Sequence, residues 1–228
     1  SLIGTPLLCL KTGKIMSKKS LIATVVALLF LAYAGMSATV VKEGQEATLT
    51  GEVAFNPTEE ATKFWNEKAH DYFSKDAVDL KTLITEANGD FKSVAKKYGH
   101  YSMGDSGELS FVVKGEGTIN VVKNKLRAGY LGLEVPGIDS SFKPRLQIGP
   151  VFKGSAVRDS ISLISYKDYK NQIEWAQVSV AFHELITRDI LSKIDMEALA
   201  GKNVEFVGCF TVGAGKTLQI TPVSLSVK

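Results

Sequence analysis

Cysteine is scarce in this chain. There are two in 228 residues, Cys9 and Cys209, and only Cys209 lies beyond the N-terminal leader. Residues 42–228 have no second thiol for an internal disulfide, so their stability has to come from an ordinary hydrophobic core. Cys209 sits in an apolar run, which reads as a buried, inert thiol and not as a nucleophile. Histidine is scarce as well. His70, His100 and His183 form no pair at metal-ligand spacing, so no metal centre is expected. No acid precedes Glu43, whereas Lys11, Lys14, Lys18 and Lys19 all fall in the leader. The formal charge of +3 is therefore misleading: residues 42–228 hold 23 Lys and Arg against 24 Asp and Glu, a net charge of −1. A near-neutral domain has no overall electrostatic footprint for nucleic acid, and none is expected as a partner.

What the chain does have is one long uncharged run. Leu21 to Val41 covers 21 positions without a charge, preceded by Lys18 and Lys19. A helix needs ~20 apolar residues to cross a bilayer. The lysines belong on the cytoplasmic side, so everything after residue 42 is expected to be exported. Two readings fit. Ala32-Tyr33-Ala34 supplies the small-residue exit of a cleaved signal peptide, and the continuation of the run to Val41 suits an uncleaved anchor. Met16-Ser17-Lys18-Lys19-Ser20 looks like a translation start, and residues 1–15 are set aside from the fold.

Residues 42–228 suffice for one sizeable domain or two small ones. Thr48 to Phe55 reads as a strand. Asn56-Pro57 then signals a helix start, with Asn as cap and Pro in the first turn. Ala61, Phe64, Trp65, Ala69, Tyr72 and Phe73 follow at helical spacing. A second helix is expected from about Asp76 to Asn88, stopped by Gly89. A third, short one runs from Asp90 to near Gly99. From Glu108 the period changes to two: Leu109, Phe111 and Val113 alternate, Gly115-Glu116-Gly117 reads as a turn, and Thr118 to Val122 and Tyr130 to Val135 continue. Pro136 to Lys143 is a polar loop. Short strands and glycine-rich turns suggest a small antiparallel barrel or sandwich. A second helical stretch is expected to start near Ser165, which has capping-box spacing with Asp168. Trp175, Val178, Ala181, Phe182, Leu185 and Ile186 then form the apolar stripe of a long helix. Lys202 to Phe210 and Thr217 to Val227 close the chain as a hairpin, with a phase slip across Pro222 that reads as a bulge.

No segment carries a complete chemical motif. Gly213-Ala214-Gly215-Lys216-Thr217 resembles the end of a phosphate loop, but Phe210 stands where the first glycine should be and no helix follows. Gly115-Glu116-Gly117 lacks the third glycine of a dinucleotide fingerprint. G-x-S-x-G is absent, so a hydrolase would need a Ser, a His and a carboxylate brought together from distant positions. No catalytic residue and no cofactor are assigned.

The most unusual stretch is Gln147 to Glu174. At 100° per residue, Asn171 and Glu174 project on the same face as Val178, Phe182 and Leu185, so two polar residues fall on a stripe that should meet the core. Buried polar groups must find partners, and Arg158, Gln147 and Lys153 are the nearest candidates. The stretch is either a polar network fixing a helix to the sheet or a pocket for a small polar ligand. Its candidate ligand-binding residues are Gln147, Lys153, Arg158, Asp159, Asn171 and Glu174.

Gly149-Pro150-Val151-Phe152-Lys153-Gly154 followed by Arg158-Asp159, and Asn171-Gln172-Ile173-Glu174, resemble the hallmark segments of a bacterial family of predicted periplasmic lipoproteins with no assigned function. Leu199-Ala200-Gly201-Lys202 through Ile220-Thr221-Pro222-Val223 is similar to the same family, and the resemblance spans about residues 45–228. It implies an α+β fold: a small antiparallel OB-like β-barrel with an inserted three-helix unit and one further helix packed on the barrel. On this chain that means a leader over 1–41, a helical unit at about 57–104, and a barrel built from 46–55 plus 105–228. Members are often encoded near sugar-uptake transporters, which implies an accessory role with a small polar ligand or a sugar transporter component as partner. The chain departs from the family in having no cysteine between Leu21 and Val41 to accept a lipid, so residues 21–41 themselves are expected to provide the membrane contact. The expected function is a membrane-tethered accessory or binding protein and not an enzyme, with a purely structural envelope role as the alternative and an uncharacterised hydrolase behind it.

Overall fold

A computed structural model describes residues 56–228 together with Leu28. The chain divides between Ala54 and Phe55, and the architecture below belongs to the second part. The expected strand at 48–55 and, Leu28 apart, the apolar segment at 21–41 lie outside the described residues. Among the described residues no helix is long and apolar enough to cross a membrane.

Helix α1 (Pro57–Phe64) begins where Asn56-Pro57 predicts. The Asn56 side-chain oxygen Oδ1 accepts from the Glu59 N–H at 3.2 Å, and Glu59 and Glu60 meet the positive end of the helix dipole. The helix runs through a π-helical turn (Trp65–Ala69) into α2 (His70–Asp76). After the two-residue β1 (Val78–Asp79), Asp79 caps α3 (Leu80–Ala87) by accepting from Thr82 N–H at 2.9 Å. The left-handed turn that ends α3 starts at Asn88, φ 45°, one residue before the expected Gly89 stop. A 3-10 turn (Phe91–Val94), α4 (Ala95–Tyr98) and the short strand β2 (Gly99–Tyr101) complete the helical unit.

Five strands then close a barrel: β3 (Leu109–Lys123), β4 (Ala128–Glu134), β5 (Lys143–Pro150), β6 (Asn203–Thr211) and β7 (Thr217–Val227). Their order is β3-β4-β5-β7-β6, and β6 pairs back onto β3 from Ser110↔Thr211 to Thr118↔Asn203. Within the barrel only β5 and β7 run parallel. Between β5 and β6 the chain forms α5 (Ala156–Asp159) and α6 (Gln172–Asp189). The result is an α+β fold with a closed five-stranded OB-like barrel.

Gly115-Glu116-Gly117 is not a turn. It lies inside β3, paired with Phe206, Glu205 and Val204 of β6, just before pairing with β4 begins at Thr118. A side chain at Gly117 would put its Cβ 2.8 Å from the Glu134 carbonyl oxygen, and one at Gly115 would meet the Phe206 ring at 3.1 Å. The glycines mark close approach of neighbouring groups and not chain reversal. The phase slip across Pro222 is a bulge, since the β6–β7 register shifts between Val207 and Gly208.

Two cores result. Phe111 and Phe210 are cross-strand partners facing into the barrel, stacked at 5.7 Å. Leu80 and Leu83 of α3 join them, as do Phe91, Leu131, Leu146 and Ile220. Their neighbours Val112 and Cys209 are also paired but face outward, under Phe73, Trp175, Phe182 and Ile186 from α2 and α6. Burial on both faces explains why Leu109 to Val113 reads as nearly continuous apolar sequence. It also holds the Cys209 thiol protonated, because burial pushes its pKa up.

Gly117→Ala is expected to cost about 1–3 kcal/mol, because the new methyl meets backbone that cannot step aside. Gly213→Ala, with open space around it, should stay within about 0.5 kcal/mol of the parent. Urea unfolding of the two variants measures the contrast.

Candidate functional site

Helix α6 starts at Gln172, and this decides the fate of two of the six candidate residues. Asn171 is the N-cap with φ −160°, and its side-chain oxygen accepts from the N–H groups of Ile173 (2.9 Å) and Glu174 (3.0 Å). Glu174 reaches back to accept from Lys170 N–H at 2.8 Å. Both satisfy donors at the helix start and neither meets the core. The 100° projection fails at Asn171 because the residue before the first helical position does not follow the helical step. The separate capping box at Ser165 and Asp168 starts its own 3-10 turn, Tyr166–Asp168.

Gln147 is 2% exposed, and its neighbours account for it. Its oxygen accepts from Lys153 N–H at 2.7 Å, and its amide donates to the Lys153 carbonyl at 3.1 Å and to Thr221 Oγ1 at 2.9 Å. It pins the turn after β5 to β5 and β7. Only the backbone of Lys153 takes part, and its side chain is exposed. These two residues stand apart from the helix start.

Arg158 and Asp159 form the polar centre that the other four do not. Both are buried on α5. Arg158 Nε and Nη2 donate to the same carboxylate oxygen of Asp159, Oδ1, at 2.9 and 2.6 Å, and Nη1 donates to the Trp175 carbonyl at 2.9 Å. The guanidinium carbon lies 4.1 Å over the Trp175 ring, a cation–π contact that fixes the plane of the fork. Arg158 thus reaches α6 through Trp175, where a Glu174 pairing would have been the simplest sequence reading. Asp159 Oδ2 is buried and has no hydrogen-bond partner among the described residues. Burial raises the Asp159 pKa above the ordinary carboxylate value, although Arg158 pulls the other way.

The pair borders a cleft of about 230 Å³. One wall is β2 and its continuation, with His100, Tyr101 and Ser102. The other carries Arg158, Asp159, Ser162, Ser165 and Trp175. At the rim, His100 Nε2 and Asp76 Oδ2 are 2.6 Å apart. Tyr72 OH donates to the Ser160 carbonyl and accepts from Ser162 N–H at 2.8 Å, tying α2 to this wall. The cleft therefore offers serine hydroxyls, one carboxylate–imidazole pair and one buried ion pair. Among the described residues no serine oxygen hydrogen-bonds a histidine ring, and no three of His, Cys, Asp and Glu converge as metal ligands. The β2 wall was missed in the sequence. A three-residue strand has almost no periodicity, and its approach to α5 spans more than fifty residues.

His183, on α6, is a half-buried titratable group that feels the Arg158 charge. Its ring stacks on Phe152 at 4.7 Å, and its Nε2 has no partner among the described residues. Burial first, then the Arg158 charge, lowers its pKa to about 4.

A family model described as "Predicted periplasmic lipoprotein (DUF2291)" matches residues 26–226. No curated relative matches the sequence. Among solved structures, an OB-fold protein from Thermotoga maritima superposes with a TM-score of 0.60 at 16% identity, covering 77% of this chain and 100% of that one. At that identity the likeness shows the fold alone, and it agrees with the barrel described above. Neither likeness indicates an enzymatic family.

His183 has a lower pKa folded than its ordinary value of 6.5, so the stability it supports is complete above pH 6.5 and is lost as pH falls towards 4. The loss should reach about 3 kcal/mol. Asp159 works in the opposite sense, since a raised carboxyl pKa adds stability as pH falls through it. His183→Gln should therefore flatten the slope of unfolding free energy between pH 6.5 and 4, measured by urea titration at each pH.

Proposed function

The chain belongs to the family of predicted periplasmic lipoproteins, and from that premise we propose that it is a membrane-held accessory protein that binds a small polar ligand in the cleft beside Arg158 and Asp159. The observation that carries this reading is the Asp159 carboxylate. One oxygen takes two hydrogen bonds from Arg158 while the other has no partner among the described residues. A buried acceptor without a partner costs about 1–3 kcal/mol, and a ligand hydroxyl reaching it from the cleft, with a small shift of the wall that now covers it, would supply the missing donor. Arg158 retains N–H groups beyond the three it uses, so donor and acceptor stand side by side. The pair is neutral as a unit, which favours a hydroxyl-bearing molecule over an anion. The partner expected from the family resemblance is a component of a sugar-uptake transporter, with the protein presenting or sensing the transported molecule.

A structural role for the same pair is the second reading, because Arg158 also fastens α5 to α6. Two variants separate the readings. Arg158→Ala strands a buried carboxylate and should cost about 3–5 kcal/mol, while Arg158→Leu/Asp159→Leu removes both charges and should recover most of that loss.

The test is a thermal-shift screen of the full chain against neutral sugars, sugar phosphates and nucleosides. A ligand at 100 times its Kd stabilises by ~2.7 kcal/mol. A neutral sugar should raise the melting temperature of the parent and leave the stable double variant unmoved. No shift in any class, or the same shift in the double variant, would leave the pair as a staple only.

A further inference from the structure

The near-neutral overall charge hides a segregated one. No acid occurs between Glu116 and Glu134 or between Asp139 and Asp159, yet these two segments hold Lys123, Lys125, Arg127, Lys143, Arg145, Lys153 and Arg158. They form the second half of β3, all of β4 up to Glu134, β5, and the turns at either end. The structure brings two of those turns together. The Val151 N–H donates to the Arg127 carbonyl at 2.8 Å, so the β3–β4 turn and the end of β5 lie against each other. At this place two large apolar side chains face solvent: Leu126 is 50% exposed and Val151 41%. Lys123, Lys125 and Arg127 flank Leu126, Lys153 follows Val151 by two residues, and all four cations are exposed. None of the four is in an ion pair among the described residues.

We propose that this end of the barrel is a membrane-docking surface, on which Leu126 and Val151 enter the interfacial region of an anionic phospholipid bilayer while Lys123, Lys125, Arg127 and Lys153 contact its phosphate groups. An apolar tip ringed by cations is the pattern of an interfacial anchor: the apolar side chains leave water and the cations meet the negative surface. Among the described residues neither part has an internal role, since the cations have no carboxylate and the apolar side chains have no cover. Cations alone would suit a nucleic acid equally well, but exposed aliphatic side chains at the tip gain nothing from a phosphate backbone, and the periplasmic location leaves anionic lipid as the polyanion at hand. A protein already held at the membrane needs only a weak second contact, because the tether supplies a high effective concentration. The surface lies on the β3–β4 turn and the end of β5, apart from the residues that line the Arg158 cleft, so its failure and that of the cleft reading are independent.

The experiment uses the full chain carrying Leu126→Trp, reconstituted into vesicles that contain brominated lipid. Leu163→Trp, at another exposed apolar position, is the reference. With about one-third phosphatidylglycerol, quenching at position 126 should exceed that at 163 by roughly twofold or more, since only the docked side chain reaches the acyl boundary. It should fall to the reference level in pure phosphatidylcholine and at about 1 M salt, where charges are screened beyond ~3 Å. Lys123→Glu/Lys125→Glu/Arg127→Glu in the Leu126→Trp chain should abolish the excess. Circular dichroism checks that variant's fold, and if it does not fold, the lipid and salt dependence decide alone. Equal quenching at 126 and 163 would overturn the proposal. So would quenching at 126 that ignores phosphatidylglycerol, or charge-dependent binding of a labelled single-stranded oligonucleotide without lipid quenching.

Discussion

The structure depends on one strand closing a circle. β3 runs from Leu109 to Lys123, pairs with β6 over its first half and with β4 over its second, and so completes the barrel. Its neighbours come close at two glycines: a Cβ at Gly117 would lie 2.8 Å from the Glu134 carbonyl oxygen and one at Gly115 3.1 Å from the Phe206 ring. Closure removes the open edges that a five-stranded sheet would otherwise expose. It also separates inside from outside. Phe111 and Phe210 fill the interior, while Val112 and Cys209 become the floor on which α2 and α6 rest.

The polar centre follows from that arrangement. Once α6 covers the outer face, α5 is trapped between barrel and helix, and its two charged residues are taken out of water together. A lone buried charge there would be very unfavourable, whereas the adjacent Arg158 and Asp159 neutralise each other. The neutralisation is lopsided. Both guanidinium contacts fall on Oδ1, the third goes to the Trp175 carbonyl, and Oδ2 is left without a partner among the described residues beside a cleft lined with hydroxyls. A residue pair selected only to fasten two helices would gain more from a fork that used both oxygens. The uncommitted oxygen is the acceptor on which the proposed binding role rests.

Much of the fold was legible because it rests on local signals. Asn56-Pro57, the Ser165/Asp168 capping box, the α6 stripe and the bulge across Pro222 are each fixed by neighbouring residues, and each stands where the sequence puts it. The reading failed where a tertiary contact gives a residue its meaning. Gly115 and Gly117 look like turn residues until Phe206 and Glu134 are beside them. Asn171 and Glu174 project onto the core until the helix is found to start at Gln172 and not near Ser165. Of the six candidate site residues, Arg158 and Asp159 border the cleft, Gln147 and the Lys153 backbone staple a turn, and Asn171 and Glu174 cap α6. The opposite wall, with His100 and Ser102, had no sequence signal, because it is made by a three-residue strand. The segregation of charge along β3 to β5 was readable in the sequence and is hidden by the net charge.

The account turns on Asp159 being a desolvated carboxylate with one oxygen uncommitted. Carbon-13 NMR of its carboxyl group across a pH titration reads this directly in the full chain. A carboxylate with both oxygens satisfied by Arg158 and other donors titrates below the ordinary value of 3.8; one held in a dry site with a missing partner titrates above it. A midpoint above 3.8 that disappears from its place when a cleft ligand binds is the predicted result. A midpoint below 3.8 would show a fully satisfied ion pair, and the cleft would lose the acceptor on which the binding role rests.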